Sequence, residues 1–96
     1  MVRFYETTFI LKPDLDEETR EALLDRIKNI ITDNGGEIEN VDIWGKKKLA
    51  YEIKDLYQGF YTVITFKGTP EVLNELDRNF KIIDNVLRGL IIRKED

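Results

Sequence analysis

Apolar residues recur in two rhythms along this chain, and the changes of rhythm divide it into six segments. Val2 to Leu11, VRFYETTFIL, is rich in aromatic and β-branched residues and is closed by Pro13, which predicts a strand. Leu23, Ile27, Ile30 and Ile31, flanked by Leu24, then recur at the spacing of one helix face. Asp14 and Glu17 have capping-box spacing ahead of that stripe, with Asp14 as N-cap, and Asn34-Gly35-Gly36 supplies a left-handed stop. The opposite face carries Glu17, Glu18, Glu21 and Asp25, a solvated surface whose acidic first turn suits the helix dipole.

Period two returns from Glu37 to Ile53, where Ile38, Val41, Ile43, Leu49, Tyr51 and Ile53 mark a long strand. Gly45 interrupts it and predicts a bulge. Asp55 to Gly59 reads as a turn, and Phe60 to Phe66, FYTVITF, is the clearest strand. Its set Phe60, Thr62, Ile64 and Phe66 is the more apolar and should meet the helices, leaving Tyr61, Val63 and Thr65 on the other face. Thr69-Pro70 predicts an N-cap with proline at the first helical position, and Val72, Leu73, Leu76 and Phe80 line one side of a second helix. Val86 to Arg93, VLRGLIIR, is the last strand.

Strand, helix, strand, strand, helix, strand is the order of an α+β, ferredoxin-like βαββαβ fold. Right-handed crossovers interleave its halves into a four-stranded antiparallel sheet with two helices on one face. The other sheet face is left open. RNA-recognition domains share this order and carry an aromatic octamer on the third strand. Gln58 to Thr65 matches that octamer only at Gly59, Phe60 and Val63, lacks its leading basic residue, and places Phe60 in the set assigned to the core. Acylphosphatase-like enzymes of this fold cradle an anion at the first strand-to-helix loop. Here that loop reads Lys12-Pro13-Asp14-Leu15-Asp16, whose two carboxylates repel a phosphate and which has no glycine run. A protein-interaction or small-ligand regulatory domain without nucleic acid remains as the alternative.

Composition narrows the chemistry. Ninety-six residues suit one domain, spanning residues 1–96, with a two-layer core. With neither cysteine nor histidine there is no disulfide, no thiolate nucleophile and no imidazole base or ligand. The expectation is a non-enzyme that needs no cofactor or metal and acts on no small-molecule substrate. No apolar run approaches the roughly 18 residues that span a bilayer, and MVRFYETTF has no signal-peptide stretch, so no membrane role and a cytosolic location are expected. The net charge is −4, but it is uneven: residues 1–45 hold 5 basic and 11 acidic side chains, net −6, and residues 46–96 hold 10 and 8, net +2. Screening confines surface fields to about 10 Å at 0.1 M salt, so a local basic patch can bind nucleic acid on an acidic protein.

The basic run is WGKKKLAYEI, Trp44 to Ile53. Lysines on a projecting strand can protect an exposed edge from unwanted pairing. They can also contact phosphates, with Trp44 or Tyr51 packed on a sugar or base. Alternation puts Lys46 and Lys48 on one face and Lys47 on the other, which suits a rim gripping a backbone. Tyr51 is expected in the core or in a strand-pair contact.

Four motifs bring in a family. Arg3-Phe4-Tyr5-Glu6-Thr7, the run Trp44 to Ile53, Gly59-Phe60-Tyr61 and Asp84-Asn85-Val86-Leu87-Arg88 occur in order. On these the chain resembles the bacterial small-subunit ribosomal protein S-six family over nearly its full length. The glycine and basic run followed by Leu-Ala-Tyr is the most specific of them. The resemblance implies a ferredoxin-like fold and a structural role in the small ribosomal subunit. It also implies binding to the central domain of 16S ribosomal RNA as a heterodimer with ribosomal protein S-eighteen. Lys46, Lys47, Lys48, Arg88 and Arg93 are then expected to meet RNA phosphates, with Arg3 and Lys54 as weaker candidates. Phe4, Tyr61, Val63 and Ile92 are expected on the open sheet face as an apolar patch for a protein partner. Glu52 stands where some members of the family carry proline after the motif tyrosine.

Overall fold

The computed structural model describes residues 2–94. Its elements are β1 (Arg3–Leu11), α1 (Glu17–Asp33), β2 (Glu37–Ile53), β3 (Leu56–Gly68), α2 (Pro70–Ile82) and β4 (Val86–Arg93). The strands form one antiparallel sheet in the order β2-β3-β1-β4, so β2 and β4 are its edges.

Alternation decides what each strand buries. Tyr5, Thr7, Phe9 and Leu11 of β1 and Thr62, Ile64 and Phe66 of β3 form the buried rows facing the helices. Leu23, Ile27 and Ile31 of α1 and Val72, Leu76 and Phe80 of α2 pack on these rows. Aromatic pairs join the layers, with ring centroids 5.7 Å apart for Tyr5 and Phe66 and 5.9 Å for Phe9 and Phe80. Each fully buried aliphatic side chain contributes roughly 1.5–3 kcal/mol.

Thr7, Thr62 and Asn79 are the buried polar residues among those described, and the side chains of Thr7 and Asn79 have hydrogen-bond partners. The Thr7 hydroxyl donates to the Leu90 carbonyl at 2.9 Å. Asn79 donates to the Glu75 carbonyl at 2.8 Å and accepts from Arg26 of α1 at 3.2 Å, which ties the helices together.

The helix ends agree with the sequence reading in kind and differ in one place. The N-cap of α1 is Asp16, not Asp14; its carboxylate accepts the Thr19 backbone N–H at 3.2 Å. Both aspartates have a suitable residue three positions on, and the helix starts at the later one. At the other end Gly35 has φ +87, the Gly36 N–H donates to the Ile31 carbonyl and the Gly35 N–H to the Thr32 carbonyl. That bond pair is a Schellman stop. Thr69 is the N-cap of α2 with Pro70 first in the helix, although its side chain makes no capping bond.

The β2–β3 hairpin is the largest departure from expectation. The segment from Asp55 to Gly59 is not a turn: the chain reverses over Lys54 (φ 49) and Asp55 (φ 64), and Gly59 is a buried strand residue. Two consecutive positive φ values are what a tight, primed hairpin turn requires. β3 therefore runs past the end of β1, whose Leu11 pairs with Phe60, and the hairpin forms an arm beyond the three-strand overlap.

The arm curls back over the open face. Trp44 is an extra residue between the pairs Ile43–Thr62 and Gly45–Tyr61, and Gly45 takes φ +84. This is the expected bulge. One inserted residue exchanges the faces of everything after it. Ile43 accordingly lies on the helix side, whereas Leu49 is buried on the open side, against Ile10 of β1.

Candidate nucleic-acid interface

The arm collects cations at one end of the sheet. Lys46, Lys47 and Lys48 pair with Phe60, Gly59 and Gln58 along the edge strand. Lys46 and Lys48 therefore project on the helix side and Lys47 on the open side, as alternation predicts. All three are exposed. Lys54 sits in the turn and acts on Asp84 of the α2–β4 loop. A hydrogen bond from Lys12, at 3.2 Å, and then the charges of Lys12 and Lys54 hold the Asp84 carboxyl below its ordinary range.

Arg88 joins this group from the far edge. It pairs with Ile10 on the open face of β4, and its guanidinium carbon lies 5.8 Å from the centre of the Tyr51 ring. Tyr51 is 58% exposed. It is neither a core nor a strand-pair residue, because the arm has carried it out of the sheet and above it. Trp44 is likewise half-exposed, stacked on Tyr61 with centroids 6.3 Å apart and planes at 13°, and its indole N–H donates to Asp42 at 2.8 Å.

The remaining sequence candidates lie elsewhere. Arg93 is opposite Tyr5 and Arg3 is opposite Gly68, so both stand at the other end of the sheet from the arm. Five residue steps along β1 separate the Tyr5 and Ile10 levels, about 16 Å at strand rise. Arg93 lines a groove on the helix side with Leu73, Asn74 and Asp77. The structure thus puts Lys46, Lys47, Lys48 and Lys54 on the arm, with Arg88 against its Tyr51, and separates Arg3 and Arg93 from them.

The apolar set is on one face but unevenly available. Register puts Phe4, Tyr61, Val63 and Ile92 on the open side, since Phe4 is opposite Lys67, Thr8 opposite Val63, Ile10 opposite Tyr61 and Glu6 opposite Ile92. Ile92 is 58% exposed, whereas Val63 is only 6% exposed and cannot offer much contact area. The Phe4 ring lies under the Lys67 ammonium, which is itself bridged to Glu37. Leu90, 49% exposed, belongs to the same row and was missed by the sequence reading, although its alternation with Arg88 and Ile92 could have found it. Between the arm and the sheet lies a groove of about 330 Å³ lined by Ile10, Leu49, Tyr51, Tyr61, Arg88 and Leu90 among others.

Among the described residues no group of three or more acidic side chains could hold a metal ion. No helix among them is long and apolar enough to cross a membrane. What the geometry offers is an electropositive, aromatic-lined arm beside a half-exposed apolar sheet face.

Comparison with known proteins agrees with that character. The family model for ribosomal protein S6 matches residues 4–93. The small ribosomal subunit protein bS6 of Clostridium kluyveri is 55% identical over 91 residues, covering 95% of this chain and 96% of the relative. That of Caldanaerobacter subterraneus subsp. tengcongensis is 50% identical over 95 residues, covering 99% of this chain and all of the relative. The crystal structure of 30S ribosomal protein S6 from Thermotoga maritima superposes with a TM-score of 0.92 at 38% identity, covering 98% of this chain and 89% of that one. With its fold, its arm and nearly its whole length matched, this chain belongs to the ribosomal protein S6 family.

Proposed function

We propose that the chain binds the central domain of 16S ribosomal RNA through its β2–β3 arm, in a heterodimer with ribosomal protein S-eighteen seated on the open sheet face. Family membership makes it a structural, non-enzymatic component of the small subunit of the cytoplasmic ribosome. The finer reading rests on one observation. Lys46, Lys47, Lys48 and Lys54 lie on the arm and Arg88 packs against its Tyr51, and among the described residues none of these cations lies within 4 Å of a carboxylate. Other cations, such as Lys12, Lys67, Arg78 and Lys81, are already bridged to acids. Cations not bridged to a carboxylate keep most of their attraction for phosphate, and their binding is strongly salt-dependent through counterion release.

The open face supports the second half of the proposal. Leu90, Ile92 and Trp44 leave apolar area exposed on a small protein, a feature that marks interaction surfaces. A basic partner there also fits the net charge of −4, because it can supply attraction to RNA while this chain's acidic surface complements it.

The experiment is a salt series of binding to a central-domain 16S RNA fragment, with and without S-eighteen, for the wild type and the variant Lys46→Glu/Lys48→Glu. Partner-dependent binding that weakens steeply with salt, and weakens in the variant while its unfolding midpoint is unchanged, is the expected result. Equal affinity of variant and wild type at moderate salt would remove the arm from the RNA contact.

A further inference from the structure

Tyr51 and Arg88 come from opposite edges of the sheet, yet they meet. Such a contact requires β2 to leave its edge and pass over β3 and β1. Three features of the chain make it do so. The Trp44 bulge turns the strand, and its pairing with β3 then breaks between Lys48 and Ile53. Gly59 provides the seat: a Cβ there would collide with Ile10 Cγ2, so glycine leaves room for the Ile10 side chain beside which Leu49 lies. With Leu49 buried, the next residues of the arm hang over the open face and bring Tyr51 to β4.

The consequence concerns Arg88. A long exposed side chain loses rotamer freedom when it binds a ligand, and that loss weakens binding. The Tyr51 ring restricts Arg88 beforehand, because a guanidinium stacks on an aromatic face while its edge remains free to donate. The donors of that planar fork match the oxygens of a phosphate in pairs. The arm that brings Tyr51 carries Lys46, Lys47, Lys48 and Lys54 against Glu52 and Asp55, an excess of positive charge that suits an anionic ligand.

From this we infer that Tyr51 is a positioning residue: it holds the Arg88 guanidinium over the open face, ready to grip one RNA phosphate beside those taken by the arm lysines. The inference rests on the RNA-binding reading given above and adds to it a residue that carries no charge of its own. It also accounts for the position of Tyr51, which is exposed on an arm and yet held by a specific geometry.

The test measures binding of the complex with S-eighteen to the same central-domain RNA fragment across a salt series, for Tyr51→Phe, Tyr51→Leu, Arg88→Gln and Tyr51→Leu/Arg88→Gln. Thermal unfolding confirms that each variant is folded. Tyr51→Leu should weaken binding about two- to five-fold, the range of an exposed cation–aromatic contact. Tyr51→Phe keeps the ring and should bind as the wild type does. Arg88→Gln should lower the slope of log affinity against log salt by about one phosphate's share, and Tyr51→Leu should then add nothing. A Tyr51→Leu protein with wild-type affinity, or one whose effect persists undiminished without Arg88, would overturn the inference. So would an Arg88→Gln protein that fails to bind S-eighteen in the absence of RNA, since Arg88 would then belong to the protein interface. If Lys46→Glu/Lys48→Glu binds normally in the same assay, the RNA reading itself falls; if only the Tyr51 variants are silent, that reading stands and the positioning role alone is lost.

Discussion

The Phe80 ring lies flat on the backbone of Gly89: a Cβ at position 89 would fall 2.6 Å from Phe80 Cγ. Gly89 pairs with Phe9, whose own ring stacks on Phe80 at 5.9 Å, so the strand backbone and two aromatic rings form one packed unit under α2. Gly89 is conformationally ordinary here, and what matters is that it has no side chain.

Gly89→Ala should therefore destabilise the protein by about 1–3 kcal/mol, the usual cost of overpacking a filled core. Urea unfolding measures it. The double variant Gly89→Ala/Phe80→Leu, which exchanges the flat ring for a smaller side chain, should show less than the sum of the two single losses. Additive losses would mean that the ring and the strand do not compete for the same space.

Trp44 is the single tryptophan of the chain and stands half-exposed over Tyr61 on the open face. Its fluorescence therefore reports on that face alone. A partner docked there should shift the emission to shorter wavelength as water leaves the indole. Complex formation with unchanged emission would place the partner on another surface.

Most of the fold was legible because the buried rows are dictated by period. Phe60 to Phe66 alternate without interruption, and the α1 stripe of Leu23, Leu24, Ile27, Ile30 and Ile31 breaks the period of a strand and keeps that of a helix. The arm was not legible, for a reason of register. Ile43 and Leu49 are six residues apart and read as one face of one strand, but the extra residue at Trp44 sends them to opposite sides. Gly45 announced the bulge without revealing what it did to the residues beyond. Gly59 was read as a turn residue, where the need is room for the Ile10 side chain of β1. The candidate cations were found by type; which of them reach the arm is a property of strand order and curl, and so Arg88 meets Tyr51 of the arm while Arg93 stands at the other end.

Acid sensitivity has a defined sign. The Thr19 side chain, and then its backbone N–H, hydrogen-bond the Asp16 carboxylate and lower its pKa, and the Lys12 hydrogen bond does the same for Asp84. Each group binds a proton less readily in the folded state, so the unfolded chain takes up more protons as the pH drops. The stabilisation is complete above the unfolded aspartate pKa of about 3.9 and is lost as pH falls through the lower folded values. Urea midpoints measured from pH 6 to pH 2 should fall less steeply below about pH 4 in Asp16→Asn and Asp84→Asn than in the wild type. Asn at position 16 can still cap the helix, so its stability at pH 6 should be largely kept. A wild-type slope in both variants would mean that neither carboxylate titrates differently on folding.

The separation of Arg93 from the arm gives the sharpest contrast between the candidate cations. Lys48 lies on the arm, whereas Arg93 stands opposite Tyr5 at the other end of the sheet, beside Leu73, Asn74 and Asp77. If the arm is the RNA contact, Lys48→Gln removes about one phosphate contact and lowers the salt slope by about 0.7–0.9, roughly alike for different RNA sequences. Arg93→Gln should leave both slope and affinity as they are. Both variants change one exposed cation by one charge, so a general effect of net charge would move them equally. A slope that falls with Arg93→Gln and holds with Lys48→Gln would reverse the assignment and move the RNA to the β4 end.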